Sequence, residues 1–440
     1  YTETPVIYSK DYSFKILKLV LPQPVSPKDG LGEKTRFEIP FNNPKKNAKA
    51  AFSEIKAGLE QLSATTLLFL NNIGHIKWKV CAQEGAVRRV EHSATHVEVL
   101  KFVGAKELLS SHWLRFAAPV QNLNKFTAPV EGIERQKVAV AFELGFLADT
   151  KSFDGKKALA KQLKIVPAVR GKVSVFFPAE KETSGLRFHL HAPFIPELSR
   201  ASITSSPENL PLFEQLAAVA AHSLHEIKAL GLLTGEFLSV LPNNDDSLPE
   251  KYALIRKALL DEMRTEPLVP KYGGGFAPAI QLCQARASIK ALLSTEDLAF
   301  VTERNDQPRW AISATQKNSN QDRLLASLGI QRWDTEDLKN FLESRVLVTS
   351  NNWTNEPVDP TVIKWLAGKS PEWHQAFYAL LNKYCEDEDH FFSLSETKIV
   401  RMADGSYSLP TDAYFQTGPS STKDPLPRVD RRPRHEHDSN

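Results

Sequence analysis

Two cations near the middle of the chain have the type and setting that phosphate chemistry uses. The stretch Phe176 to Arg200, FFPAEKETSGLRFHLHAPFIPELSR, reads as a strand, then a loop holding Lys181, Thr183, Ser184 and Gly185. A second strand follows and ends near Arg200. A cation on a loop beside a sheet end is placed to reach a phosphate, Arg through a planar fork and Lys as a point charge. A surface lysine and an arginine in a structural ion pair give the plainer account, since exposed charges are mostly only solvated. A second candidate is the loop Gly30-Leu31-Gly32-Glu33-Lys34-Thr35. Its glycines let backbone N–H groups approach an anion, and the Thr35 hydroxyl adds a donor. A hairpin turn reads the same way.

The histidines offer metal chemistry only in pairs. His189 and His191 share one strand face, His222 and His225 are three apart on a helix, and His92 and His96 are four apart. Zinc needs three or four convergent ligands with partners behind them, and no carboxylate or thiolate falls at a telling spacing. No metal site is expected, and His189 and His191 read as part of a polar sheet face. The sequence has no GxxxxGK[ST], GxSxG or HExxH signature. The run Gly273 to Gly275 reads as a turn.

The elements that must position these residues are mixed. Short β runs occur at 12–21, 35–41, 77–103, 137–144, 172–177 and 186–194. In the last, Leu186, Phe188, Leu190, Ala192 and Phe194 share a face opposite Arg187, His189 and His191. A helical pattern is expected from Pro44 to about Ile76. Another begins with a Ser205/Glu208 capping spacing and carries the stripe Phe213, Leu216, Ala217, Ala220, Leu224 and Ile227 before Gly231. After NNDDSLPE the pattern is mainly helical. The fold class is α/β (α+β), with a mixed sheet and packed helices in the first half and a mainly helical second half. A boundary is expected near residues 242–250.

The 440 residues are 42% apolar and 24% charged, enough for more than one core. A net charge of +3 is too mild to imply nucleic acid or an anionic membrane. The three cysteines, Cys81, Cys283 and Cys385, lie far apart and form no CxxC pair. That argues against a disulfide framework or a zinc ribbon and fits a reducing cytoplasm. No apolar run approaches the roughly 18 residues of a membrane span. The opening at Tyr1, directly into strand-like sequence, reads as an internal piece of a larger protein.

YTETPVIYSKDYSFKILKLVLP, then GLGEKTRFEIPF, then TTLLFLNNIGHIKW resemble the closing part of a GHKL-type ATP-binding domain. The nearest version is that of large sacsin-like proteins, related to the ninety-kilodalton heat-shock chaperone. FFPAEKETSGLRFHLHAPF resembles the segment that follows the ATPase domain there. The resemblance covers about residues 1–241. It implies a nucleotide-domain remnant at 1–43, a coupling domain at 44–241, a helical domain at 245–415 and an unfolded tail at 416–440. Gly32 and Thr35 match the late G-x-G-T segment, with Gly30 beside them, although Glu33 and Lys34 separate the glycine from the threonine. No D-x-G-x-G loop occurs, and Asp29-Gly30-Leu31-Gly32 is not that pattern. The resemblance therefore implies ATP and Mg bound only with the portion preceding Tyr1, and no cofactor for the chain alone. It implies that Arg200 first, and Lys181 second, meets the γ-phosphate. The expected partners are the remainder of the parent protein or client proteins. A non-catalytic scaffold presenting Trp333, Trp353, Trp365 and Trp373, and nucleic-acid binding through short basic clusters, remain the other readings.

Overall fold

A computed structural model describes residues 46–70, 73–121, 136–314, 316–348, 358–388 and 394–413. Residues 1–43 with Gly30, Gly32 and Thr35, the 416–440 tail and Trp353 lie outside them. The fold is α/β, a large mixed sheet packed by helices.

Helix α1 spans Ala48–Glu60, and the Asn47 side chain accepts the Ala50 N–H at its start. The continuous helix expected over 44–76 is broken. A single turn, α2 (Thr65–Leu68), follows, and β1 has begun by His75. The Ser63 hydroxyl accepts the Thr65 N–H, a local bond that competes with helix continuation.

Strands β1 (His75–Val80), β2 (Gln83–Glu91), β3 (His96–Val103), β4 (Lys106–Pro119) and β5 (Lys137–Phe146) form an antiparallel run. Gly104 has φ of 60°, which the two-residue turn between β3 and β4 requires. Strand β6 (Leu163–Val166) pairs with Glu143–Phe146 of β5. Strands β7 (Lys172–Val175), β8 (Phe177–Thr183) and β9 (His189–His191) complete the sheet. β9 lies antiparallel to β5 and parallel to β7, and β8 is the outer strand beyond β7.

Both faces of the sheet centre are covered. Val138, Val140, Phe142, Phe188 and Leu190 face helices α3 (Leu210–Ala229) and α4 (Glu250–Thr265) in the main core. All six residues of the expected α3 stripe are buried there. At its end Leu232 donates to the Ile227 carbonyl and Gly231 to Lys228, the paired bonds of a left-handed helix stop. The start of α3 differs from the expected capping box. A 3-10 turn at Pro207–Asn209 precedes it, and the Asn209 side chain bonds outward to Ile195 and Thr204.

The opposite face is a smaller core built from α2 and the residues after it. Leu67, Leu68 and Phe69 pack with Val97, Trp113 and Ala141. His189 and His191 point here, so the polar sheet face expected for them is instead buried. His189 lies edge-on to Trp113 and His191 stacks on Phe69. The His189 Nδ1 accepts the Lys172 N–H, and the His191 Nδ1 lies 3.2 Å from the Ser174 carbonyl. Neither side of this strand is left to water, which its alternation alone does not show.

The main core continues through residues 242–250 into Tyr252, Ile255, Leu259 and on to Ile330. The NNDDSLPE stretch is a locked turn. Asp246 takes a two-pronged contact from Arg187, 2.8 Å on each side, and also accepts the Asn243 N–H. Arg256 donates to the carbonyls of Asn243 and Asp246. Beyond it come α5 (Ala287–Leu292), α6 (Thr295–Val301), α7 (Asn320–Ser327), α8 (Thr335–Val346), α9 (Pro360–Ala367) and α10 (Pro371–Glu388). A second core gathers Trp310, Trp333, Leu338 and Phe377, with Trp365 and Trp373 packed half-buried against it. The indole N–H groups of Trp365 and Trp373 are used internally, on Asp297 and the Leu292 carbonyl.

Burial pushes both His189 and His191 down to about 4 from an ordinary 6.5. The unfolded chain takes up protons below 6.5 that the folded rings refuse, so stability is lost as the pH falls from about 6.5 toward 4. The expected loss is on the order of 2–3 kcal/mol per ring. Urea midpoints measured between pH 7 and 4.5 should fall steeply in the wild type and less in a His189→Asn/His191→Asn variant. Equal slopes would contradict the assignment.

Candidate functional site

Arg200 and Lys181 are brought together by the free edge of β8. The loop 195–203 lies along that edge. The Lys181 N–H donates to the Ala201 carbonyl at 2.9 Å, and Pro196 bridges to Ile203. Lys181 and Thr183 lie within β8 rather than on the loop expected for them, because the strand pairs with β7 as far as Thr183, and the two cations stand on adjoining backbone. Both are exposed, and among the described residues neither side chain has an ion-pair or hydrogen-bond partner. The ion-paired arginine of the plainer reading is not what surrounds Arg200.

The loop is held in a strained, definite shape. Arg200 has φ of 56°, in the left-handed region that non-glycine residues avoid at about 1 kcal/mol. Its N–H donates to the Glu197 carbonyl at 2.8 Å, and Glu197 N–H in turn reaches Ser202. The Thr204 hydroxyl and N–H both bond the Ile195 carbonyl, and Asn209 spans the same two residues. Strain of this kind persists only where neighbouring contacts enforce it.

The strongest of those contacts is Glu182, next to Lys181 on β8 and nearly buried. Its carboxylate accepts the Ile203 N–H at 3.0 Å, the Tyr252 hydroxyl at 2.8 Å and the Lys251 ammonium at 2.6 Å. One acid thus ties the edge strand, the cation loop and α4 together. Burial works to raise the Glu182 pKa, but the donors from Lys251, Ile203 and Tyr252 outweigh it and hold the carboxyl below its ordinary value. Burial and the nearby carboxylate push Tyr252 far above its usual range, so it stays a neutral donor.

Two apolar side chains share the loop. Leu198 is fully exposed and Ile195 is 41% exposed. Gly30, Gly32 and Thr35, the expected nucleotide-side residues, lie outside the described residues.

A cleft of about 570 Å³ in the second half is the other place where positive charge gathers. It is lined by Arg286, Lys290, Lys317, Arg332, Asp322 and Asp334. Burial pushes Lys290 down to about 8. Its ammonium is already committed to the Ala311 carbonyl and the Ser313 hydroxyl, and Arg332 pairs with Asp322. Arg286 and Lys317, also in the lining, are exposed like the two cations of the β8 edge. The signal for Lys290 was a lysine within the apolar run of ASIKALL, which sequence reasoning passed over.

The metal-capable pairs behave differently from one another. His225 pairs with Glu262 on the surface, and among the described residues no third ligand reaches it or the buried pair on β9. His92 does gain partners, Glu98 and His112. Sequence reasoning missed them because they come from different strands. The chain matches no protein-family model, no curated protein and no solved structure. No helix among the described residues is long and apolar enough to cross a membrane.

A depressed carboxyl stabilises the fold above its unfolded value near 4.5 and ceases to do so as the pH falls through its folded value. Glu182→Gln should cost about 2 kcal/mol at pH 7, the scale of a hydrogen bond to a charged group. That gap should narrow toward pH 3.5. Urea unfolding of the two proteins across this range measures it. A pH-independent gap would mean the charge of Glu182 does not hold the loop.

Proposed function

We propose that this chain is the coupling part of a sacsin-like GHKL ATPase, converting nucleotide state into conformational change in a chaperone-like or defence-associated cytoplasmic protein. Arg200, with Lys181 beside it, meets the terminal phosphate of ATP held by another part of the parent protein. The carrying observation is that two exposed cations, unpartnered among the described residues, share one edge of the sheet, Lys181 on β8 and Arg200 on the adjoining loop fixed by Glu182. Donors without acceptors of their own are the set a phosphate needs.

ATP with magnesium supplies the transferable phosphate, and the residues expected beside it in this chain are Gly30, Gly32 and Thr35. The chain's own contribution is charge and position. A guanidinium brought to a phosphate in a water-poor site neutralises charge that develops as the phosphoryl group departs. The loop already has its shape, so little order is lost on closure. Ile195 and Leu198 would be covered by the approaching module, which links closure to burial of apolar surface.

Arg200→Ala in the parent protein should lower ATP turnover by about 10³-fold, the lower end for an arginine that acts on a transferred phosphate. ATP affinity should change little, because the guanidinium arrives on closure. Lys181→Ala should have the smaller effect. Steady-state ATPase rates with nucleotide-binding titrations separate the two quantities. Undiminished turnover in Arg200→Ala would remove the role.

A further inference from the structure

At the other end of the sheet, three side chains from separate positions converge on one point. His92 follows β2, Glu98 lies on β3 and His112 on β4. Glu98 and His112 are directly opposed across the antiparallel ladder. The His92 Nε2 is 2.7 Å from one Glu98 oxygen, and the His112 Nε2 is 3.6 Å from the other. One atom from each of the three groups lies within 4.8 Å of the others. We propose that His92, Glu98 and His112 bind a single zinc-class divalent cation through two imidazole nitrogens and a carboxylate.

The donor set selects the metal. Two imidazoles with one carboxylate suit zinc and its transition-metal neighbours, whereas calcium and magnesium prefer oxygen ligands throughout. Bonds of about 2.0–2.2 Å to nitrogen and oxygen need only small side-chain rotations from the spacing here. Three protein ligands leave a fourth position for water.

Two further residues orient the ligands from behind. The His96 Nε2 lies 3.0 Å from the His112 Nδ1, which leaves the His112 Nε2 turned toward the site. The Ser110 hydroxyl donates to Glu98 at 2.6 Å. Such outer partners fix ring orientation and raise metal affinity. Phe153 lies over all three rings, with centroids 4.8 Å from His92, 4.7 Å from His96 and 5.3 Å from His112. Its own loop is held by Gln162, which bonds the Asp154 N–H and the carbonyls of Asp154 and Lys157. His112 is buried, Glu98 largely so, and His92 is the exposed member through which a cation would enter. A hydrogen-bonded His–Glu–His network without metal is the competing account.

The full chain, stripped with chelator, should take up one equivalent of Zn²⁺ in a competition titration against a chromogenic zinc indicator. Glu98→Gln and His112→Ala should weaken that binding at least about 100-fold. His96→Ala should weaken it by about 10-fold, as an outer partner does. His225→Ala, on the surface of α3, should leave it unchanged. Cobalt(II) in place of zinc should give visible absorption that is lost in a His92→Ala/His112→Ala variant. Far-UV circular dichroism checks the fold of each variant, and Glu98→Gln serves as the near-isosteric change should the double variant unfold. Zinc uptake that is absent in the wild type, or that survives in folded Glu98→Gln at full affinity, would overturn the site.

Discussion

One buried carboxylate governs the geometry on which the functional reading rests. Glu182 sits on the outermost strand of the sheet, where a strand edge would otherwise present unpaired groups. Its oxygens collect donors from the loop after β9, from α4 and from a lysine ammonium. Those three contacts turn a sheet edge into a support for a short, strained loop. Removing the acid would leave Tyr252 with a buried, unmatched hydroxyl as well as releasing the loop, because burying a polar group alone is costly. Stability and the placement of Arg200 are in this way the same interaction.

The rest of the sheet explains why that edge is rigid enough to matter. Its centre is packed on both sides, by α3 and α4 on one face and by the segment around α2 on the other. The Arg187–Asp246 pair ties the entry to β9 to the turn before α4. The loop carrying Arg200 is thus flanked by a fixed strand and a fixed helix. α4 itself packs into the main core, which continues to Ile330.

Much of this architecture was legible in local pattern. The α3 stripe and the β9 alternation follow directly from periods of 3.6 and 2, and both meet the core as the periods require. What failed locally failed for stated reasons. The helix over 44–76 is cut where Ser63 offers the backbone another partner. The capping box at Ser205 gives way to a 3-10 turn, with Asn209 spent on the cation loop. His189 and His191 look solvent-facing because alternation reports one covered face and is silent about a second. Lys181 and Arg200 were legible as types, but their shared edge depends on a pairing between Lys181 of β8 and Ala201, twenty residues on. His92, Glu98 and His112 meet only through strand register, which no spacing in the sequence encodes.

In the proposed role, the loop that carries Arg200 reaches the terminal phosphate of bound ATP. An ATP analogue carrying a photoreactive group on its γ-phosphate, cross-linked in the parent protein and mapped by peptide mass spectrometry, tests it directly. The account predicts label on the segment between Lys181 and Arg200, suppressed by excess ATP. Label at saturation confined to other segments, with this one unmodified, would contradict it.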